Sequence, residues 1–191
     1  RPLASNTGGT SLGRPYSGGS FSIAKNGAIA FNQASPQRPA ELAVMDKRGK
    51  SRLLTQLNED LLAHKTLGKV EELHVASSFD GRDVEGWILY PPNYESGNKW
   101  PLILEIHGGP VANYGPRFTA EGQLYAAAGY VVVFMNPRGS NSYGKEFVNL
   151  IHHNYPSQDY DDLMTAIDTM IERGVADPEQ LYVTGGSGGG V

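Results

Sequence analysis

The chain has 191 residues, with 16 basic and 20 acidic side chains and a net charge of −4, so it lacks the basic stripe that a nucleic-acid backbone demands. Hydrophobic residues make up 39% and charged ones 19%, a balance that supports a packed core and excludes an extended disordered chain. The absence of cysteine removes disulfide scaffolds, thiolate metal sites and cysteine nucleophiles together, and leaves the compartment open between cytoplasmic and periplasmic or secreted.

At the N-terminus, Arg1 to Gly9 has no apolar h-region, and Arg1 in place of an initiating Met leads us to expect upstream sequence, which could include a signal peptide. From Phe21 to Leu57 short apolar runs recur: Phe21 to Ala24, Ala28 to Phe31, Leu42 to Met45 and Leu53 to Leu57. Turn formers at Lys25-Asn26-Gly27, Ser35 to Pro39 and Lys47 to Lys50 separate them. The pattern predicts four short antiparallel strands, the content of one β-propeller blade, with a small all-β subdomain as the alternative. A blade cannot bury both faces alone.

Past a polar stretch from Asn58 to Lys69 the runs lengthen. Val70 to Ala76 and Val84 to Tyr90 read as strands on either side of Asp80-Gly81, a hairpin signal, and Pro91-Pro92 closes the unit. Leu102 to Ile106 and Tyr130 to Met135 read as further strands, the second apolar enough to be buried on both faces. Between them Thr119 to Ala128 is a helix ended by Gly129. The most apolar stretch, Leu124 to Met135, has twelve residues against roughly 18 for a membrane span.

Gln158 to Arg173 has the clearest helical period. Tyr160, Leu163, Met164, Ile167, Met170 and Ile171 share one face, Ser157 is placed to cap it, and Gly174 to end it. Asp177-Pro178 reads as a turn and Leu181 to Thr184 as a strand. Strand, helix, strand, helix, strand from Leu102 onward is an α/β sheet.

Two motifs follow strands in this part of the chain. Gly185-Gly186-Ser187-Gly188-Gly189 contains G-x-S-x-G, the pattern in which a serine occupies a strained strand-to-helix turn and projects its hydroxyl. A dinucleotide fingerprint or a Walker A loop would each need a different residue at Val191, and a glycine linker rarely follows an apolar strand so closely. His107-Gly108-Gly109-Pro110 follows the Leu102 strand, where a glycine-rich loop can aim a backbone N–H at a developing oxyanion.

These two motifs, with Asn136-Pro137-Arg138-Gly139-Ser140, Tyr143-Gly144 and Asp159-Tyr160-Asp161-Asp162 between them, resemble the prolyl oligopeptidase family of serine peptidases, in its acylaminoacyl-peptidase-like branch. The resemblance covers roughly Val70 to Val191, and the Phe21 to Leu57 segment is similar to the last propeller blade before the catalytic domain. It implies residues 1–65 as the end of a β-propeller and residues 66–191 as the N-terminal half of an α/β-hydrolase domain. It implies Ser187 as nucleophile and the N–H groups of Gly109 and Gly188 as oxyanion hole. His107 stands where some branches place a tyrosine donor, so backbone is expected to take over that role. Arg138 is expected to pair with the acidic start of the Gln158 helix, Asp159 or a neighbour, rather than to clamp substrate. His152 and His153 are expected on a surface loop.

The family order runs serine, acid, histidine, whereas His64, His74, His107, His152 and His153 all precede Ser187. The catalytic Asp and His are therefore expected outside this chain, and the 191 residues alone are expected to be catalytically silent. The implied whole enzyme hydrolyses oligopeptides through an acyl-enzyme with no metal or organic cofactor, no nucleic-acid partner and no membrane span. Exposed strand edges leave a homo-oligomer open. The sequence alone also allows a carboxylesterase or lipase-like hydrolase, or a non-catalytic binding protein that keeps the fold.

Overall fold

The computed structural model describes residue 4 and residues 6–191; Arg1, on which the expectation of upstream sequence rests, lies outside the described residues. The chain falls into two compact units. One holds the residues up to Leu67 together with Gly115–Gly122, the other Gly68–Tyr114 together with Gln123–Val191.

The first unit is a four-stranded antiparallel meander of β1 (Phe21–Ile23), β2 (Ile29–Ser35), β3 (Arg38–Met45) and β4 (Ser51–Leu53), paired in sequence order. Short strands joined by tight turns have no alternative partner nearby, so neighbours pair. Burial alternates along β3, where Pro39, Glu41, Ala43 and Met45 face inward, and Phe31, Ala43 and Met45 make a small core. Buried Glu41 is held by Thr55 Oγ1 at 2.5 Å, the Leu57 N–H at 2.9 Å and Asn58 Nδ2 at 3.1 Å. Burial alone would raise its pKa, but those donors outweigh burial and hold it below the ordinary carboxylate value. The last strand ends where Leu53 to Leu57 was expected to begin, because Thr55 and Leu57 leave the ladder to serve Glu41. A single turn, α1 (Glu59–Leu62), follows. Within the same unit Gly115–Gly122 is tied in by Arg117 Nη2 donating to Thr7 O at 2.8 Å and by Arg14 Nε to Glu121 at 2.9 Å.

The second unit is a mixed five-stranded sheet in the order β5, β6, β8, β7, β9, formed by β5 (Val70–Ala76), β6 (Asp83–Leu89), β7 (Trp100–Ile106), β8 (Val131–Met135) and β9 (Ala176–Gly185). The first three in that order pair antiparallel, and β8–β7 and β7–β9 pair parallel. Every residue of β8 is buried. Its odd-numbered side chains meet the helix α4 (Asp159–Glu172) through Leu163, Ala166, Ile167 and Met170, while on the other face Phe134 stacks on Trp87 with ring centres 5.8 Å apart and meets Tyr114 edge-on at 5.9 Å. Two further helices, α2 (Ala120–Ala127) and α3 (Lys145–Asn149), complete the chain. No helix among the described residues is long and apolar enough to cross a membrane.

A 14-residue helix is marginal in isolation, so α4 depends on burying Leu163, Ile167 and Met170, each worth about 1.5–3 kcal/mol. Gly174, at φ +71°, ends it as expected, with Gly174 N–H to Ile171 O at 2.9 Å and Val175 N–H to Met170 O at 3.0 Å. Two expectations fail here. Tyr160 is exposed rather than on the packed face, since it lies in the first turn, beyond the strands. Ser157 does not cap the helix; its hydroxyl donates to Asn154 O, and its N–H reaches Asp159 Oδ1 at 2.6 Å. The expected turn at Asp177-Pro178 is present as an Asx turn that interrupts the pairing of β9. Register slips between Trp100↔Ala176 and Leu102↔Leu181, and Asp177 closes the turn by accepting from Glu179 N–H at 3.1 Å and Gln180 Nε2 at 2.7 Å.

One buried ion pair locks α4 to the sheet. Arg138, just past β8, donates to Asp162 through Nε at 2.9 Å, Nη2 at 2.7 Å and its own N–H at 2.8 Å. Nη2 also reaches Ser77 Oγ at 3.1 Å and Asp80 at 3.2 Å in the β5–β6 turn, and the guanidinium sits 5.0 Å over the Phe79 ring. Asp162 is 0% and Arg138 3% exposed, so removing either partner strands a buried charge. In the full-length protein, Arg138→Leu is expected to lower stability in urea unfolding by about 3–5 kcal/mol, and the Arg138→Leu/Asp162→Leu double variant by less than either single change. A double variant that loses the sum of the two would refute this account of the pair.

Candidate active site at the ends of two parallel strands

Adjacent parallel strands deliver their loops to the same edge of a sheet, which is where open α/β folds place ligands. Here β7 and β9 are in register to their last residues, with Glu105 opposite Thr184 and Ile106 opposite Gly185. The His107–Pro110 loop and the Ser187 turn therefore emerge side by side.

Ser187 sits at φ +58°, in the left-handed region, as the first residue of the 3₁₀ turn Ser187–Gly190 that follows extended Gly186. A serine held there is strained by the turn around it, and its side chain is exposed to solvent. The surrounding glycines have a steric cause. A Cβ on Gly189 would come within 2.2 Å of Ile106 O, one on Gly185 within 2.2 Å of Gly189 O, and one on Gly188 within 2.9 Å of the Gly109 nitrogen. Backbone packs directly on backbone, so only glycine fits. The contact brings Gly188 and Gly109, the two residues expected to supply oxyanion donors, against each other. Gly109 is at φ +144° and exposed.

Behind the loop His107 is buried, with Nδ1 2.8 Å from Gly108 O and Nε2 2.9 Å from Ser140 Oγ. Burial holds its pKa below the ordinary imidazole value, so it is neutral at pH 7. A carbonyl can only accept, which places the proton on Nδ1 and makes Nε2 the acceptor of the Ser140 hydroxyl. His107 thus braces the loop and presents no side-chain donor outward. Asn136, fully buried, clasps Tyr114 beyond the same loop: Tyr114 N–H donates to Oδ1 at 2.8 Å, and Nδ2 donates to Tyr114 O at 3.0 Å. Asn136 and Ser140, from one motif, hold two points of the connection that follows β7, and Arg138, from the same motif, holds α4 and the β5–β6 turn.

Arg138 is not available to substrate, and its main partner is Asp162, a neighbour of Asp159 one turn along α4. His152 and His153 are exposed. Sequence reasoning missed Tyr155, whose hydroxyl donates to Gly188 O at 2.9 Å. Its position in an irregular loop leaves no periodic signal. Tyr155, Pro156, Tyr160, Pro110, Ile106 and Gly189 help line a small pocket of about 120 Å³ beside the turn. A larger cavity, about 480 Å³, belongs to the first unit and contains none of these residues. Among the described residues no side chain hydrogen-bonds the Ser187 hydroxyl, and both ring nitrogens of His107 are committed elsewhere.

Residues 116–191 match the model of the prolyl oligopeptidase family. The chain is 44% identical over 156 residues to an uncharacterized peptidase, YuxL, of Bacillus subtilis, covering 81% of this chain and 24% of that protein. It is 32% identical over 162 residues to dipeptidyl-peptidase 5 of Porphyromonas endodontalis, covering 80% and 22%. Among solved structures, an acylaminoacyl peptidase of Pyrococcus horikoshii superposes with a TM-score of 0.80 at 30% identity, over 90% of this chain and 27% of that one. The chain spans about a quarter of the length of the curated relatives it matches.

The strain at Ser187 can be measured. Glycine normally destabilises a folded position relative to alanine, but at φ +58° the order should invert. We expect Ser187→Gly to be more stable than Ser187→Ala by roughly 1 kcal/mol in urea unfolding of the full-length protein. Equal stability, or a more stable alanine variant, would show that this turn is relaxed.

Proposed function

This chain belongs to the prolyl oligopeptidase family, and from that membership we propose that the protein is a serine peptidase that hydrolyses peptide bonds of oligopeptides through an acyl-enzyme on Ser187. The observation that carries the reading is Ser187 held at φ +58° at the end of β9 with Gly188 packed on Gly109. A nucleophile needs to stand clear of the sheet, and the oxyanion it creates needs donors already in place.

In this mechanism Ser187 Oγ attacks the scissile carbonyl carbon, and the carbonyl oxygen takes the negative charge. The N–H groups of Gly109 and Gly188 receive that charge. The loops carrying them are braced by His107 on one side and by Tyr155 on the other, so little reorganisation is needed as the charge develops. Collapse of the intermediate expels the amine and leaves the acyl group on Oγ; water then releases the acid by the same route. The proton of the serine hydroxyl must pass to a base. In the order that the family follows, the acid and the histidine come after the nucleophile, so we assign both to sequence on the C-terminal side of Ser187. The reaction as drawn uses no metal and no organic cofactor.

Ser187→Ala in the full-length protein is expected to abolish both labelling by a fluorophosphonate probe and hydrolysis of peptide p-nitroanilides. Retained peptide turnover would overturn the assignment, and turnover of p-nitrophenyl esters without any peptide turnover would make the protein an esterase. Gly109→Val is expected to lower kcat by about 10²–10³ with a much smaller effect on KM, because an oxyanion donor acts mainly in the transition state. A change confined to KM would make His107 to Pro110 a substrate-binding loop.

A further inference from the structure

Away from Ser187, the β5–β6 hairpin gathers four titratable side chains on one face. Register sets His74 opposite Glu85 and Ala76 opposite Asp83. The two-residue period of each strand then adds Glu72 beside His74 and Asp83 beside Glu85 on that same face. His74 Nδ1 lies 3.0 Å from both oxygens of Asp83, and Nε2 lies 3.0 Å from Glu72 Oε1. Ligand atoms of Glu72, His74 and Glu85 all lie within 4.8 Å of one another.

A neutral imidazole has one N–H, yet both nitrogens here face carboxylates. If Nδ1–H donates to Asp83, the Nε2 lone pair points at the Glu72 carboxylate unless a proton or a metal ion stands between them. A proton supplies one charge against three carboxylates; a divalent cation supplies two and can also draw in Glu85. We propose that Glu72, His74 Nε2 and Glu85 form a binding site for a divalent first-row transition metal of the zinc type.

Imidazole with two carboxylates is a donor set suited to zinc and its neighbours, with room left for water. The surrounding shell is already built. Asp83 receives the distal N–H of the imidazole, the arrangement that fixes tautomer and ring orientation in metal-bound histidines. Glu85 accepts from the Tyr143 hydroxyl, and Tyr143 is itself held by Asn136 Nδ2 at 2.7 Å. One ligand thus sits on a rigid support, while Glu72 and His74 are exposed enough to close the remaining distance. The site is separate from the proposed acyl transfer and takes no part in it.

The test uses the full-length protein stripped with EDTA and titrated calorimetrically with zinc chloride, at about pH 8 so that protons do not compete for the imidazole. Cobalt(II) serves as the spectroscopic probe. We expect one saturable zinc ion per chain, visible absorption bands on cobalt loading, and loss of both in His74→Ala. Asp83→Asn keeps all three ligands but should weaken zinc binding about 10–100-fold, and Glu85→Gln should weaken it as well. Circular dichroism verifies that the variants are folded. No zinc uptake at this stoichiometry, or uptake that survives His74→Ala unchanged, would overturn the proposal and leave the cluster as a protonated imidazole among carboxylates.

Discussion

The contact on which the rest of the second unit depends is backbone against backbone, where the turn after β9 rests on the end of β7. A Cβ at Gly189 would come within 2.2 Å of the Ile106 carbonyl oxygen at the end of β7, and one at Gly185 within 2.2 Å of the Gly189 carbonyl oxygen inside the turn itself. Side chains normally keep strands and loops well apart, and their absence here lets two loops approach closely enough to share one reaction volume. Parallel pairing of β7 with β9 supplies the alignment. The glycines supply the closeness.

Such an arrangement would be soft if the loops were held only by their own hydrogen bonds. Instead, polar side chains bury themselves behind it. His107, Asn136, Arg138, Ser140 and Asp162 are each at most 4% exposed, and each is bonded to a segment distant in sequence. A buried polar group without a partner costs about 1–3 kcal/mol, so any displacement of one loop leaves several groups unsatisfied at once. That cost makes the positions of the His107 loop, the β5–β6 turn and the first turns of α4 mutually dependent, and it explains why one five-residue motif carries three such anchors.

Both sheets expose apolar edges. In the first unit Phe21 is 73% and Ile23 62% exposed; in the second Val183 is 68% exposed on the outermost strand. Unpaired strand edges with apolar side chains are places where a further strand can add. The first unit has a four-stranded sheet like that of one propeller blade, and its core of Phe31, Ala43 and Met45 is small.

By itself the sequence determined whatever follows from neighbours along the chain. The unbroken run Val131 to Met135 marked a strand buried on both faces, the 3.6-residue period marked α4, and Gly129 and Gly174 marked helix ends at positive φ. The order of the glycine motifs, each directly after a strand, marked Gly109, Ser187 and Gly188 as the candidate site. Elements of four or five residues, α1 and α3, are too short to show a period. What only the tertiary structure decided is partnership. Asp162 rather than Asp159 meets Arg138, joined by Ser77 and Asp80 from some sixty positions away. Ser140 reaches His107, and Tyr155 reaches Gly188. Hydrophobic period and turn chemistry are set within a few residues, but a hydrogen-bond partner is set by which strands lie side by side, and that choice is made by the whole sheet at once.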